Sequence, residues 1–311
     1  MLGARRRWVR AMAGGGSPRP RGTLCAVAAI TDADRRVLAD YVDGALWTVP
    51  GYLEPPDARL LIRVHEMQRE HDVTGDLLEI GVNFGRSAVL LGFLRDPAHE
   101  RFVVADAFAR DVGSPLHGRA HDTLALAGRR DFERQYRRFH TDLPEVRAGL
   151  SAALDPDELG RGRFRLVHVD GGHDWATVDQ DAALAHALLS DEGVVVFDDA
   201  YNRQFPGLVA RVWSEVVGGS LHPIASTQKL YATWNPDSRV AAALRHALAE
   251  DPRTPVAARE VAGTRMLVVL DARSEPPNPP LRRRVARAVL PPAAWDVAHR
   301  TKRRLRTLRR R

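Results

Sequence analysis

LLEIGVNFGRS, residues 77–87, runs from an apolar stretch into two glycines four positions apart and then into a segment with helical spacing. Such a stretch reads as a buried strand, a tight turn and the first turn of a helix. Gly81 and Gly85 allow close backbone approach, and the helix start presents free amide N–H groups. The spacing is G-x-x-x-G, which differs from the dinucleotide pattern G-x-G-x-x-G. A glycine turn before a helix is common punctuation, so its meaning depends on what surrounds it.

From residue 75 onward, short apolar runs alternate with helical stretches. The strand-like runs are 77–81, 102–106, 164–170 and 193–198, with a weaker one at 146–149 and two more at 228–234 and 264–271. Helical spacing covers 86–95, 121–139, 176–189, 206–217 and 239–249. Strands that are apolar throughout, separated by helices, predict an α/β fold with a mostly parallel sheet of seven strands covered on both faces. Upstream, 31–41 opens with a Thr/Asp cap signal, and 56–70 places Leu60, Leu61, Val64 and Met67 on one helical face. Together they predict an N-terminal helical cap.

In open α/β sheets ligands gather at the carboxyl ends of the strands. The second strand ends at Asp106, 25 residues beyond Gly81, where an acid can accept both hydroxyls of a ribose. A loop or capping acid is the plainer alternative; with the glycine turn beside it, a nucleoside-bearing cofactor is favoured. No G-x-x-x-x-G-K-[ST] occurs. FRLVHVDGGHDW (164–175) ends its strand at Asp170, and GVVVFDDAYN (193–202) ends at Asp198 and Asp199. Three carboxylates at adjacent strand ends repel one another unless one is protonated or a cation lies among them. Oxygen ligands of this kind suit Mg²⁺, with Mn²⁺ or Ca²⁺ as alternatives, while acids that cap helices are the simpler reading. His173, three residues after Asp170, carries an imidazole, a side-chain type suited to proton transfer near neutrality, and is a candidate proton acceptor, or a loop-orienting residue. Trp175 is a candidate cover for a purine, or a core residue.

The motifs E-x-G-x-x-x-G-x-S at 79–87, the strand-end Asp106, DGGH at 170–173 and GVVVFDD at 193–199 together resemble class I S-adenosylmethionine-dependent methyltransferases with a Rossmann-like fold. The resemblance covers about residues 51–235 and leans to the O-methyltransferases of sugars and antibiotics, with the catechol enzymes further off. It implies that Glu79, Gly81 and Gly85 surround the methionine part of the cofactor and that Asp106 holds the ribose. Ser87 matches the serine that opens the first helix in the catechol enzymes, and Asp170 counts with the cofactor as well as the metal. Adenine is assigned to 149–151, with Ser151 as the named contact. Asp198 and Asp199 stand 28 and 29 residues after Asp170, the magnesium-ligand spacing of the catechol enzymes. His173 occupies the position of their lysine base; the sugar enzymes carry an acid where this chain has Gly172. The implied chemistry is in-line methyl transfer from a sulfonium to an oxygen. Mg²⁺ would chelate two neighbouring acceptor oxygens, as on a vicinal diol, and His173 would take the proton.

With 311 residues, 44% hydrophobic, the chain has ample material for a packed core. Cys25 is its single cysteine, which excludes a disulfide scaffold. No apolar run approaches the ~20 residues of a membrane span, and 24–30 is short for a signal-peptide core, so a cytoplasmic protein is expected. The formal charge of +7 is unevenly placed. Residues 1–22 hold six arginines and no acid, and 281–311 hold twelve Arg/Lys against one acid. The 23–280 body, with 28 bases against 38 acids, carries −10.

The divisions expected are a disordered basic segment at 1–22, the cap at 23–74 and a methyltransferase domain at 75–272 with an insertion at 235–263. A Pro-rich linker at 273–280 and a basic amphipathic tail at 281–311 follow. The tail reads as solvated, or else as an interfacial helix on anionic lipid. An acidic body disfavours nucleic acid as the acceptor, though an RNA methyltransferase using the basic ends is the main alternative. A non-catalytic scaffold on the same fold is another. Family analogy implies a homodimer through the N-terminal segment.

Overall fold

The computed structural model describes residues 31–108 and 127–270. Both basic ends, the Pro-rich linker, the start of the cap and part of the 121–139 helix lie outside the described residues.

Thr31 opens α1 (Asp32–Asp43) with a reciprocal capping box to Asp34, as the cap signal predicts. Two prolines start α2 (Pro55–Glu70). Strand β1 (Asp76–Ile80) then leads through the glycine turn into α3 (Arg86–Leu94), β2 (Phe102–Asp106), α4 (Arg129–Tyr136) and β3 (Glu145–Ala148). The short α5 (Pro156–Leu159), β4 (Phe164–Val169), α6 (Trp175–Leu188), β5 (Leu189–Phe197) and α7 (Pro206–Val217) complete the alternation. Last come β6 (His222–Ser226), β7 (Leu230–Thr233), α8 (Arg239–Glu250), β8 (Val256–Val261) and β9 (Thr264–Val269).

The strands form one sheet in the order β3-β2-β1-β4-β5-β7-β6-β9-β8. Pairing is parallel from β3 through β5, while β7 runs antiparallel between β5 and β6. The fold is thus the Rossmann-like, mostly parallel α/β class that the strand pattern predicts. Its strand count corrects the expected seven to nine among the described residues. The two additional strands are β6 and β8. β6 escapes detection because Pro223 breaks its apolar run and shifts its register. β8 is an edge strand that reads as polar, with Ala258, Arg259 and Glu260 exposed. The 235–263 insertion accordingly holds α8 and the edge strand β8. Within the described part of the expected 121–139 helix, Gly128 is extended and α4 runs over Arg129–Tyr136.

Side chains alternate across the sheet. Leu77, Leu166, Val194, Val196 and Tyr231 enter one apolar core with α1, α2, α3 and α8; Leu78, Val167, Val195, Phe197 and Leu230 enter the other with α6 and α7. Residues of the cap such as Leu38, Tyr41, Leu61 and Val64 belong to the first of these cores. The cap therefore lies on one sheet face and covers whatever polar groups that face carries. Arg86, at the start of α3, fixes the cap by donating from Nε to the Val49 carbonyl at 2.8 Å and from Nη1 to that of Leu53 at 3.2 Å.

Candidate active site

Polar residues replace apolar ones where strands β1, β4, β5 and β7 reach the cap-side face near their mouth ends. Glu79 on β1 is in register with His168 on β4, and both are fully buried. Glu79 Oε1 lies 2.8 Å from His168 Nδ1, leaving Glu79 Oε2 and His168 Nε2 buried without hydrogen-bond partners. Asp170 and Asp198 continue the same alternation at the ends of β4 and β5. Lys229, just ahead of β7, completes the row because the antiparallel register sets Leu230 opposite Phe197.

Lys229 Nζ lies 2.5 Å from Asp198 Oδ2, and the lysine side chain is 3% exposed. Burial by itself would raise the Asp198 carboxyl; the Lys229 ammonium outweighs it and, with His168, holds the group down at about 2. Burial would likewise discharge Lys229, but Asp198, Asp170 and Asp57 hold it as the ammonium. Asp170 is pushed well up, first by burial and then by the Asp198 charge. Asp57 comes from α2, buried; its carboxylate accepts the Thr227 hydroxyl, and its carbonyl accepts the Tyr231 hydroxyl at 3.0 Å. Burial pushes Asp57 up against the opposing pull of Lys229.

The glycine turn closes directly on this row. Gly81 has φ +84°, and a Cβ there would collide with the Asp170 carbonyl. Gly81 N–H donates to the Ala105 carbonyl at 2.8 Å, and Asp170 N–H to the Ile80 carbonyl at 2.7 Å. Turn, β2 end and β4 end are therefore locked together. Gly85, at φ +89°, is the N-cap of α3, and Ser87 sits buried in its first turn. Asp106 accepts from the Val82 and Asn83 amides at 2.8 and 2.9 Å and from the Phe108 amide at 2.6 Å. Three of about four lone-pair positions on the carboxylate are thus used, which leaves one for a hydroxyl.

On the outer side of the mouth, His173 stacks on Phe205 with ring centroids 3.9 Å apart and planes 7° from parallel. Its Nε2 is 3.2 Å from Asp199 Oδ2, at ion-pair distance but off hydrogen-bond alignment. Asp199 sits at φ +55° and accepts from Asn202 Nδ2 at 3.0 Å. Gly172 is confined as well, since a Cβ there would meet the Thr177 side chain. Ser151 begins a short 3-10 turn, Ser151–Ala153, and donates its hydroxyl to Asp181, a fully buried acid of α6 whose Oδ2 has no hydrogen-bond partner. Trp175 is 48% exposed at the start of α6, so it is not a core residue.

Of the three expected metal ligands, Asp170 and Asp198 come together and Asp199 stands apart from them. His168, Asp170 and Asp198 offer donor atoms within 4.8 Å of one another, a spacing that suits an ion. Asp198, however, is already ion-paired to Lys229, with its other oxygen on the Asp199 amide at 2.8 Å, while Asp199 turns to Asn202 and His173. The ion pair holds Asp198 out of such a ligand set, because a buried ammonium requires its counter-charge. Four residues of the site were missed from sequence: His168, Lys229, Asp57 and Asp181. His168 alone left a signal, as a polar residue inside the apolar run FRLVHV.

Residues 78–200 match the family model described as a methyltransferase domain. Among solved structures, the fold is similar to the O-methyltransferase NovP at 17% identity and TM-score 0.48, over 65% of this chain and 98% of that one. It is also similar to CalS11, a TDP-rhamnose 3′-O-methyltransferase, at 17% identity and TM-score 0.41, over 65% and 91%. The SAH-bound Podospora anserina methyltransferase PaMTH1 aligns at 15% identity and TM-score 0.37, over 83% and 100%. No curated protein sequence matches the chain.

Proposed function

We propose that this chain, whose residues 78–200 match a methyltransferase-domain model, moves the methyl group of S-adenosylmethionine to a hydroxyl oxygen of a small molecule or sugar. The observation that carries this reading is the glycine turn closed on Asp170, which brings Gly81, Gly85, Asp106 and Asp170 to one mouth. When bound, the cofactor supplies an electrophilic sulfonium methyl, so the protein has mainly to bind, orient and remove a proton. The turn and the first amides of α3, with Ser87, form the cradle. Asp106 has one acceptor position left for a ribose hydroxyl. The unpartnered Glu79 Oε2 and Asp170 supply acidic surroundings suited to a cation. Ser151, anchored by Asp181, is the proposed adenine contact.

His173 is the proposed base: it takes the acceptor proton on its imidazole, and the neighbouring Asp199 carboxylate stabilises the imidazolium that results. Phe205 holds the ring in plane. Asp170, Asp198 and Asp199 do not fit Mg²⁺ as a resident ion, since each of the last two acids already has another partner.

Isothermal calorimetry tests the reading. Wild-type protein is expected to give saturable heat with S-adenosylmethionine and none with NAD, and Asp106→Ala to bind roughly tenfold or more weakly, the worth of a lost charged hydrogen bond. Absence of heat from the folded wild type would overturn the proposal. Among the described residues no helix is long and apolar enough to cross a membrane. A cytoplasmic location, homodimerisation and contact of the basic tail with anionic lipid belong to the same proposal.

A further inference from the structure

The polar row contains one full positive charge, and we propose that the Lys229 ammonium is the built-in counter-ion of the acidic mouth, filling the electrostatic place that a divalent metal would take at Asp170 and Asp198. Three observations carry this. Lys229 is almost wholly buried, and a buried ammonium persists only where carboxylates and hydrogen bonds replace its water. Its Nζ lies 2.5 Å from Asp198 Oδ2, on the oxygen opposite the one taken by the Asp199 amide. Asp57, held on the cap by the Thr227 hydroxyl two residues upstream of Lys229, adds a further buried carboxyl group on that side. The ammonium is thereby held between β5 and the start of β7, fixed in place by the sheet register.

The charge assignment stands on the structure by itself; its consequence for the acceptor rests on the methyl-transfer reading. Where metal chelation is the activating device, the acceptor must offer two neighbouring oxygens. With a lysine in that place, a lone hydroxyl suffices. The acceptor class therefore widens from vicinal diols to isolated alcohols or phenols, with the proton going to His173.

Manganese binding to the full-length protein decides the matter without any turnover assay. Mn²⁺ is titrated into wild type, Lys229→Met and the double variant Lys229→Met/Asp198→Asn, and the free ion is followed by electron paramagnetic resonance. Wild type is expected to show no stoichiometric site. Lys229→Met, its acids left without a counter-ion, is expected to gain one at least about tenfold tighter, and the double variant to lose it again. One equivalent of Mn²⁺ bound by wild type and abolished by Asp198→Asn alone would overturn the proposal. The wild-type titration gives this answer even where Lys229→Met does not fold. Calorimetry with S-adenosylmethionine on the same samples, treated with EDTA, keeps the two readings apart. Loss of that heat from untreated and treated protein alike counts against methyl transfer and leaves the manganese result standing.

Discussion

His65 lies buried in α2 with its Nδ1 unpartnered, and burial, reinforced by Arg165 and Arg69, holds it down at about 2. In the unfolded chain a histidine protonates near ~6.5. Below that pH the unfolded state binds a proton that the folded state refuses, so stability falls as the solution is acidified. His140 is depressed by burial as well and acts in the same direction. Urea unfolding should lose roughly 2 kcal/mol between pH 6.5 and pH 5 from His65 alone. His65→Leu should flatten that slope while folding normally at pH 7; an unaltered slope in the variant would sink the assignment. The same scale shows what sequence can convey about single groups. Asp106, Asp170, Asp198, Asp199 and His173 were legible because each stands where an apolar strand ends. Lys229 was not, because its importance depends on which strand lies beside Asp198, and no local pattern carries that information.

At the scale of elements, the cap is fastened to the sheet by a few polar ties around an apolar contact. The Tyr41 hydroxyl donates to the Arg86 carbonyl at 2.6 Å, Arg86 donates back to the cap at Val49 and Leu53, and the Tyr231 hydroxyl joins β7 to the Asp57 carbonyl. Tyr231→Phe keeps the ring and removes that last tie, so a loss of about 1 kcal/mol is expected. If the cap shapes the acceptor site, KM for the acceptor should rise while affinity for S-adenosylmethionine stays put. A fall in both alike would place the cap on the cofactor side. Elements themselves were readable wherever burial was complete on both faces, as in β1, β4 and the inner half of β5, because such strands are dominated by apolar residues and the few polar ones they hold, such as Glu79 and His168, are paired. β6 and β8 were not readable: a proline interrupts one, and solvent on the edge lets the other be polar.

For the whole molecule, the charge map separates an acidic body from two basic ends. The body between residues 23 and 280 carries −10 and contains the mouth, whereas the +11 of 281–311 lies beyond a Pro-rich spacer. Truncation after Pro280 should leave methyl transfer to a soluble acceptor within about twofold of the full chain and weaken binding to anionic vesicles by tenfold or more, since each basic residue near such a surface contributes roughly 1 kcal/mol. Lost turnover in a still-folded truncation would instead assign the tail to the site. Far below the mouth, Arg165 is fully buried and pairs with Glu100 at 2.8 and 2.9 Å, which fixes β4 to the loop before β2. The antiparallel placement of β7 between β5 and β6 has a consequence in time. Asp198 precedes Lys229 in the chain; β7 pairs with β6 as a local hairpin but with β5 only across the intervening α7, the less local contact and so the kind that forms more slowly. The acids of the mouth are therefore made before their counter-charge, and a half-folded molecule carries Asp198 without its ammonium until β7 docks on β5.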